Sequence, residues 1–142
     1  MVISLNSQEQ EAFNVIKGIY ESYKNFAPKE IEAVQLPEYS VWDGTLPQLF
    51  MSQEDVKLFH QVDQKNTKAR GRFHYTIEPL KVDIINEIAI VLSRMYAEWE
   101  PPNPWSGNMR ITDILMSKNN KWKMLHHHES VEPSGYTHIS QL

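Results

Sequence analysis

The side chains in this sequence best suited to chemistry are carboxylates and imidazoles. His126, His127 and His128 stand side by side and run into Glu129, while Asp113 lies a short way upstream and Asp43 far earlier. Carboxylates and imidazoles set among apolar walls or like charges have shifted proton affinities, so such a set suits general acid–base work on a bound molecule. Adjacent histidines also suggest a metal. On a strand, however, His126 and His128 share one face and His127 points to the other, so at most two of the run reach one ion. A third ligand would have to be His74 or Glu129, and Glu129 falls on the wrong face. No metal and no cofactor is expected.

Composition limits what such a site could serve. The chain has 142 residues, 41% of them hydrophobic and 11% aromatic, and a formal charge of −4. That length suits one domain with a sizeable core, here taken as 1–142 with an ordered core of about 7–131 and a tail over 132–142. Nucleic-acid and anionic-membrane surfaces need clustered Lys and Arg, which this sequence lacks, so neither partner is expected. The sequence contains no Cys, which excludes disulfides and thiolate chemistry. Without a signal-like start or a membrane-length apolar run, a cytoplasmic protein is the expectation.

The elements that must position these residues follow from periodicity. Ser7 and Gln10 form a capping-box pattern, and Phe13, Ile16, Tyr20 and Tyr23 then recur on one helical face. Pro28 opens a short second helix to Leu36, and Pro37 stops it. Tyr39–Trp42 reads as a strand, with Asp43-Gly44 as its turn. Ser52 caps a third helix with Val56, Phe59 and Val62 inward, and the exit from Asp63 to Gly71 is polar. From Phe73 the period becomes two. Phe73–Ile77 and Leu80–Ile85 are strand-like with a bulge or edge at Pro79, Asn86-Glu87 is a hairpin turn, and Ile88–Trp99 is a long strand. A Pro-rich loop over 100–107 precedes a final hairpin, Asn108–Ser117 and Lys121–Val131. The fold class is therefore α+β.

A three-residue turn at Lys118-Asn119-Asn120 would divide the last hairpin into two faces. One holds Ile111, Asp113, Leu115, Leu125, His127 and Glu129. The other holds Arg110, Thr112, Ile114, Met116, Trp122, Met124, His126 and His128. A two-residue turn would shift the register by one and mix the sets.

The stretch from Arg110 to Ser130 resembles the final strands of SnoaL-like domains in the nuclear-transport-factor-2-like superfamily. Their pattern is roughly T-x-x-x-x-x-x-x-G-x-W-x-x-x-H-x-H-x-S, and Thr112, Trp122, His126, His128 and Ser130 fall in register with it. Asn120 stands where the family usually has Gly, and Asn tolerates the left-handed conformation there. Within the superfamily the chain most resembles the association domain of calcium/calmodulin-dependent kinase II, and ketosteroid isomerase is a further likeness. The resemblance implies a cone-shaped roll, with N-terminal helices packed on a strongly curved antiparallel sheet around a pocket. Its outer face commonly pairs with a second subunit.

By the same resemblance, Asp113, Glu129 and Arg94 face the pocket, which makes the first strand set the concave one. The association domains carry arginines at the positions of Asp113 and Glu129, so the pocket here has changed sign. Tyr96 and Glu98 continue the face of Arg94. Asp113, or Asp43 by analogy with the isomerase base, then acts as general base, with Arg94 or Tyr96 holding an oxyanion; Tyr20 or Tyr23 matches the isomerase tyrosine. The plainer alternatives are a structural Arg94–Asp113 ion pair with Glu129 near the rim in water, a buried neutral His127, and an Asp-Gly turn. Tyr96, His127, Glu129, Ile111, Leu125 and Trp42 are the expected ligand contacts. Trp122, Met124, Ile114 and Met116 form an apolar outer stripe suited to a homodimer. The leading expectation is a homodimer that binds a small, partly apolar molecule. An isomerase- or cyclase-type enzyme and an oligomeric assembly module are the alternatives.

Overall fold

A computed structural model describes residues 3–66 and 68–134. The expected tail falls mostly beyond them, and residues 135–142 lie outside the described part. Helix α1 spans Ser7–Lys24, and its cap is Asn6, one residue before the expected Ser7. The Asn6 side chain accepts from the Glu9 amide, and the Glu9 carboxylate accepts from the Asn6 amide. Asn and Glu satisfy the two orphan amides as well as Ser and Gln would. Helix α2 is Pro28–Ala33 and ends before Leu36, because β1 begins at Gln35 and runs to Trp42 through Pro37. A two-residue strand, β2 (Leu49–Phe50), pairs with β1. Helix α3, Gln53–Lys65, is capped by Ser52, whose hydroxyl accepts from the Asp55 amide.

The remaining strands are β3 (Phe73–Ile85), β4 (Ile88–Trp99), β5 (Trp105–Lys118) and β6 (Lys121–Val131). The six-stranded sheet has the order β2-β1-β6-β5-β4-β3. It is mixed, not wholly antiparallel, because β1 enters beside β6 and runs parallel to it. Strand β3 is an edge, which accommodates Pro79 and the register break beside it. Helices α1 and α3 cover one face of this curled sheet, α1 against β3, β4 and β6 and α3 against β1.

Phe13, Ile16 and Tyr20 of α1 meet Val91, Met95, Met109 and Leu115 of the sheet in one buried cluster. On α3, Val56 is buried as expected and His60 is buried with it. Val62 is 57% exposed, because the inward face of α3 runs through Val56, Phe59 and His60 instead.

Candidate functional site

The β5–β6 hairpin sets the site. Its turn has two residues, Asn119 and Asn120, both at positive φ, so Lys118 pairs with Lys121. Two successive left-handed residues give the type I′ geometry that matches strand twist, and Asn is the non-glycine residue most at ease in it. A bulge at Leu125 follows, after which Asp113 pairs with His127 and Ile111 with Glu129. The short turn shifts the register by one and the bulge shifts it by one more. Asp113, His127 and Glu129 therefore share the helix-covered face, while Trp122 and Met124 change sides.

Those two residues are a correction. Trp122 and Met124 are 7% and 1% exposed and belong to the core, not to an outer stripe. Leu125 is the bulge residue and does not line the cavity. Ile111 is buried but also stands outside it. Trp42 is 41% exposed and away from the cavity.

Arg94 and Tyr96 are corrected likewise. On β4 the inward residues are Ala89, Val91, Ser93, Met95 and Ala97, and Val91 lies opposite Asp113. Arg94 is on the outer face, where it pairs with Glu132 at 2.7 Å, and Tyr96 is 41% exposed with its hydroxyl on Glu98. Neither reaches Asp113, so the Arg94–Asp113 ion pair is absent as well.

Four expected residues do meet. Asp43, Asp113, His127 and Glu129 line one cavity of about 130 Å³ between helices and sheet. Asp113 Oδ1 lies 2.5 Å from His127 Nδ1, and His127 Nε2 lies 2.8 Å from Glu129 Oε1. The Tyr20 hydroxyl, from α1, donates to the same Glu129 oxygen at 2.8 Å, and the Gly44 amide approaches Glu129 Oε2 at 3.4 Å. A Cβ at Gly44 would sit 3.3 Å from the Glu129 Cβ, so glycine keeps this approach free of a tight contact. Parallel pairing of β1 with β6 sets Val41 beside His127 and Trp42 beside His128. The turn after β1 is thereby delivered to Glu129.

The electrostatics follow from this packing. Burial alone would strip His127 of its proton, but the Asp113 and Glu129 carboxylates outweigh it and hold the imidazole well above its usual value. Burial likewise would raise Glu129, yet the hydrogen bonds and charge from His127, with Tyr20, hold it below the ordinary carboxylate value. His127 is thus a cation bridging two carboxylates, with both ring nitrogens engaged. Asp43 differs. Burial and the Glu129 charge raise it, and Thr45 offsets this only in part, through amide and hydroxyl bonds to Oδ1 alone. Its second oxygen remains able to take a proton.

Sequence reasoning passed over Tyr39. It is buried, lines the cavity, and its hydroxyl has no hydrogen-bond partner among the described residues. Burial and the neighbouring carboxylates keep that hydroxyl protonated. Its place was readable, because Tyr39 and Val41 alternate inward on β1 while Glu38 points out. Tyr20 and Tyr23 also line the cavity, and burial pushes Tyr23 up to about 12. Among the described residues, no group of three or more His, Asp or Glu is arranged to hold a metal ion. His126 instead bonds Ser40 at 2.8 Å, and His128 is exposed.

Residues 14–133 match the family model of the SnoaL-like domain. No curated protein matches the sequence. Among solved structures, a candidate dehydratase of the NTF2-like family from Streptomyces avermitilis superposes with a TM-score of 0.78 at 12% identity, covering 90% of this chain and 98% of that one. The CaMKII hub from S. rosetta gives 0.71 at 13% identity, covering 92% and 100%. A ketosteroid isomerase-like protein from Erwinia carotovora atroseptica gives 0.72 at 10% identity, also covering 92% and 100%. At such identities the likeness establishes the fold, and a shared fold does not carry a shared chemistry.

Proposed function

Because this chain belongs to the SnoaL-like domain family, whose fold surrounds its cavity with helices and sheet, we propose that it binds a small, mostly apolar molecule there. One observation carries the reading: the cavity is walled by Ile16, Ile31, Phe50, Met95 and Met109, while Tyr20, Asp113, His127 and Glu129 form one hydrogen-bonded polar group on it. An apolar chamber with a few convergent polar groups is the usual form of a small-molecule site. Its size is close to the roughly 150 Å³ of an engineered cavity that takes up benzene, and it opens at exposed Thr45, so a ring can lodge inside while a short chain extends toward the opening. Calorimetry with benzylacetone, an uncharged ring-and-ketone probe, tests this. Binding should be measurable in the native protein and lost in Ile19→Trp, which fills the cavity. Equal binding by the two would place the probe elsewhere and defeat the reading.

A second reading is proton transfer on that molecule, and Asp43 favours it. A carboxylate of raised proton affinity with one free oxygen is a competent base, and the Tyr39 hydroxyl is an unengaged donor on the same cavity. In this reading Asp43 takes a proton from the carbon beside a carbonyl, and Tyr39 donates a hydrogen bond to the resulting enolate oxygen. Benzylacetone in deuterated water would then exchange its α-protons faster with the protein present, and Asp43→Asn would remove the acceleration. Exchange surviving in Asp43→Asn would exclude Asp43 as the base.

The homodimer belongs to the same proposal, and a cytoplasmic setting rests on the sequence arguments alone. No described helix is long and apolar enough to cross a membrane. With Trp122 and Met124 inward, the outer apolar stripe is made by Ile90 against Ile114, Ile88 against Met116, and Leu92. Such a stripe suits a self-complementary contact. Native mass spectrometry should show a dimer that Ile114→Glu splits; a monomer in the unmodified protein would refute the dimer, and a larger ring would favour an assembly role.

A further inference from the structure

The cavity has a second polar region that the acid–base cluster does not use. Gln35, at the start of β1, and His60, on α3, both line the cavity and are only 7% and 9% exposed. Gln35 Oε1 and His60 Nδ1 have no hydrogen-bond partner among the described residues. Asp113 Oδ2 is a third such atom, within the acid–base cluster. Buried polar atoms are nearly always paired, so the two orphans outside that cluster mark a place that something else completes. Asp43 follows the far end of β1, and Thr45 beside it is exposed. The Asp43 end therefore meets solvent, whereas Gln35 and His60 are buried.

The chemistry of the inner end narrows its occupant. A carboxamide carries no charge, and burial lowers the proton affinity of His60, which keeps its imidazole neutral. Neither group offsets the charge of a buried carboxylate or ammonium, and leaving such a charge without a partner is costly. A hydroxyl is neutral, donates one hydrogen bond and accepts others, and so can serve both orphans.

We propose that the ligand is an uncharged, elongated molecule carrying a hydroxyl at its inner end, bound by Gln35 and His60, with its other polar function turned toward Asp43. This rests on the reading of the cavity as a small-molecule site. The test compares benzylacetone with para-hydroxybenzylacetone by calorimetry. The added hydroxyl should tighten binding about five- to tenfold in the native protein, the span of one well-made hydrogen bond. Gln35→Leu and His60→Phe should each bring that preference within about twofold, read as the ratio of the two affinities within each variant. Circular dichroism confirms that each variant folds, and either alone suffices. Equal binding of the two ketones by the native protein, or equal weakening of both in the variants, would overturn the hydroxyl site and leave the cavity reading intact. Failure of both ketones to bind the native protein would remove the hydroxyl site and the cavity reading together.

Discussion

Asp113 and His127 face one another across β5 and β6, carboxylate Oδ1 to ring Nδ1 at 2.5 Å, in a site where Asp113 is fully buried. The raised proton affinity of His127 ties stability to pH. A histidine held above its unfolded value contributes stability fully below about pH 6.5, and that contribution is lost as pH rises through the folded value. Urea unfolding should therefore show stability declining from pH 6.5 upward, with a slope of up to about 1.4 kcal/mol per pH unit from this group. His127→Gln should abolish that part of the slope. Glu129 acts in the opposite range: its affinity is lowered, so its contribution is present above the unfolded carboxylate value and is lost on acidification.

Asp113→Ala removes one side of a buried charge pair and leaves His127 between an emptied site and Glu129. Breaking such a pair typically costs about 3–5 kcal/mol, and the loss should approach this near pH 6, where His127 is charged. Glu132→Ala breaks the Arg94 pair instead, which is exposed, and should leave the unfolding midpoint close to that of the parent. Chemical denaturation of the two variants side by side makes the comparison.

Met124 separates the observed register from the expected one. At 1% exposure in the core, Met124→Ala should cost about 2–5 kcal/mol of stability. Were Met124 on an outer face, the same change would weaken association and leave the fold of each subunit stable. Thermal melts recorded over a range of protein concentrations distinguish the two.

Asn120 sits at φ 61° in the hairpin turn. Asn120→Gly should stabilise the protein by a few tenths to about 1 kcal/mol, since Asn-Gly is the preferred pair for this turn. Asn120→Val should destabilise it by about 1–2 kcal/mol, because a branched side chain resists the left-handed conformation. Gly71→Ala should be far more damaging, since a Cβ there would lie 1.6 Å from the Glu100 carbonyl oxygen.

The inward face of α1, the hairpin at Asn86-Glu87 and the edge at Pro79 were legible in the sequence because each rests on local periodicity or on proline and turn chemistry. The site was legible in part. A bulge leaves little mark on a sequence, and at Leu125 it adds one residue to the one displaced by the shorter turn. Asp113 thus kept its face while its partner changed from Leu125 to His127. On β4 alternation failed for another reason. Ile88, Ile90 and Leu92 point outward and Ala89, Val91 and Met95 point inward, so both faces read as apolar and Arg94 could be assigned to either. Gln35 needed the parallel pairing of β1 with β6, a contact between distant segments that no local pattern encodes.

The central claim, a small-molecule site between the helices and the sheet, is tested most directly by methyl NMR during titration with benzylacetone. The methyl groups of Ile16, Ile31, Met95 and Met109, which line the cavity, should shift with one common affinity. Ile90 and Ile114, paired on the outer face, should remain in place. Shifts confined to the outer face, or none at concentrations that saturate weak apolar sites, would contradict the account.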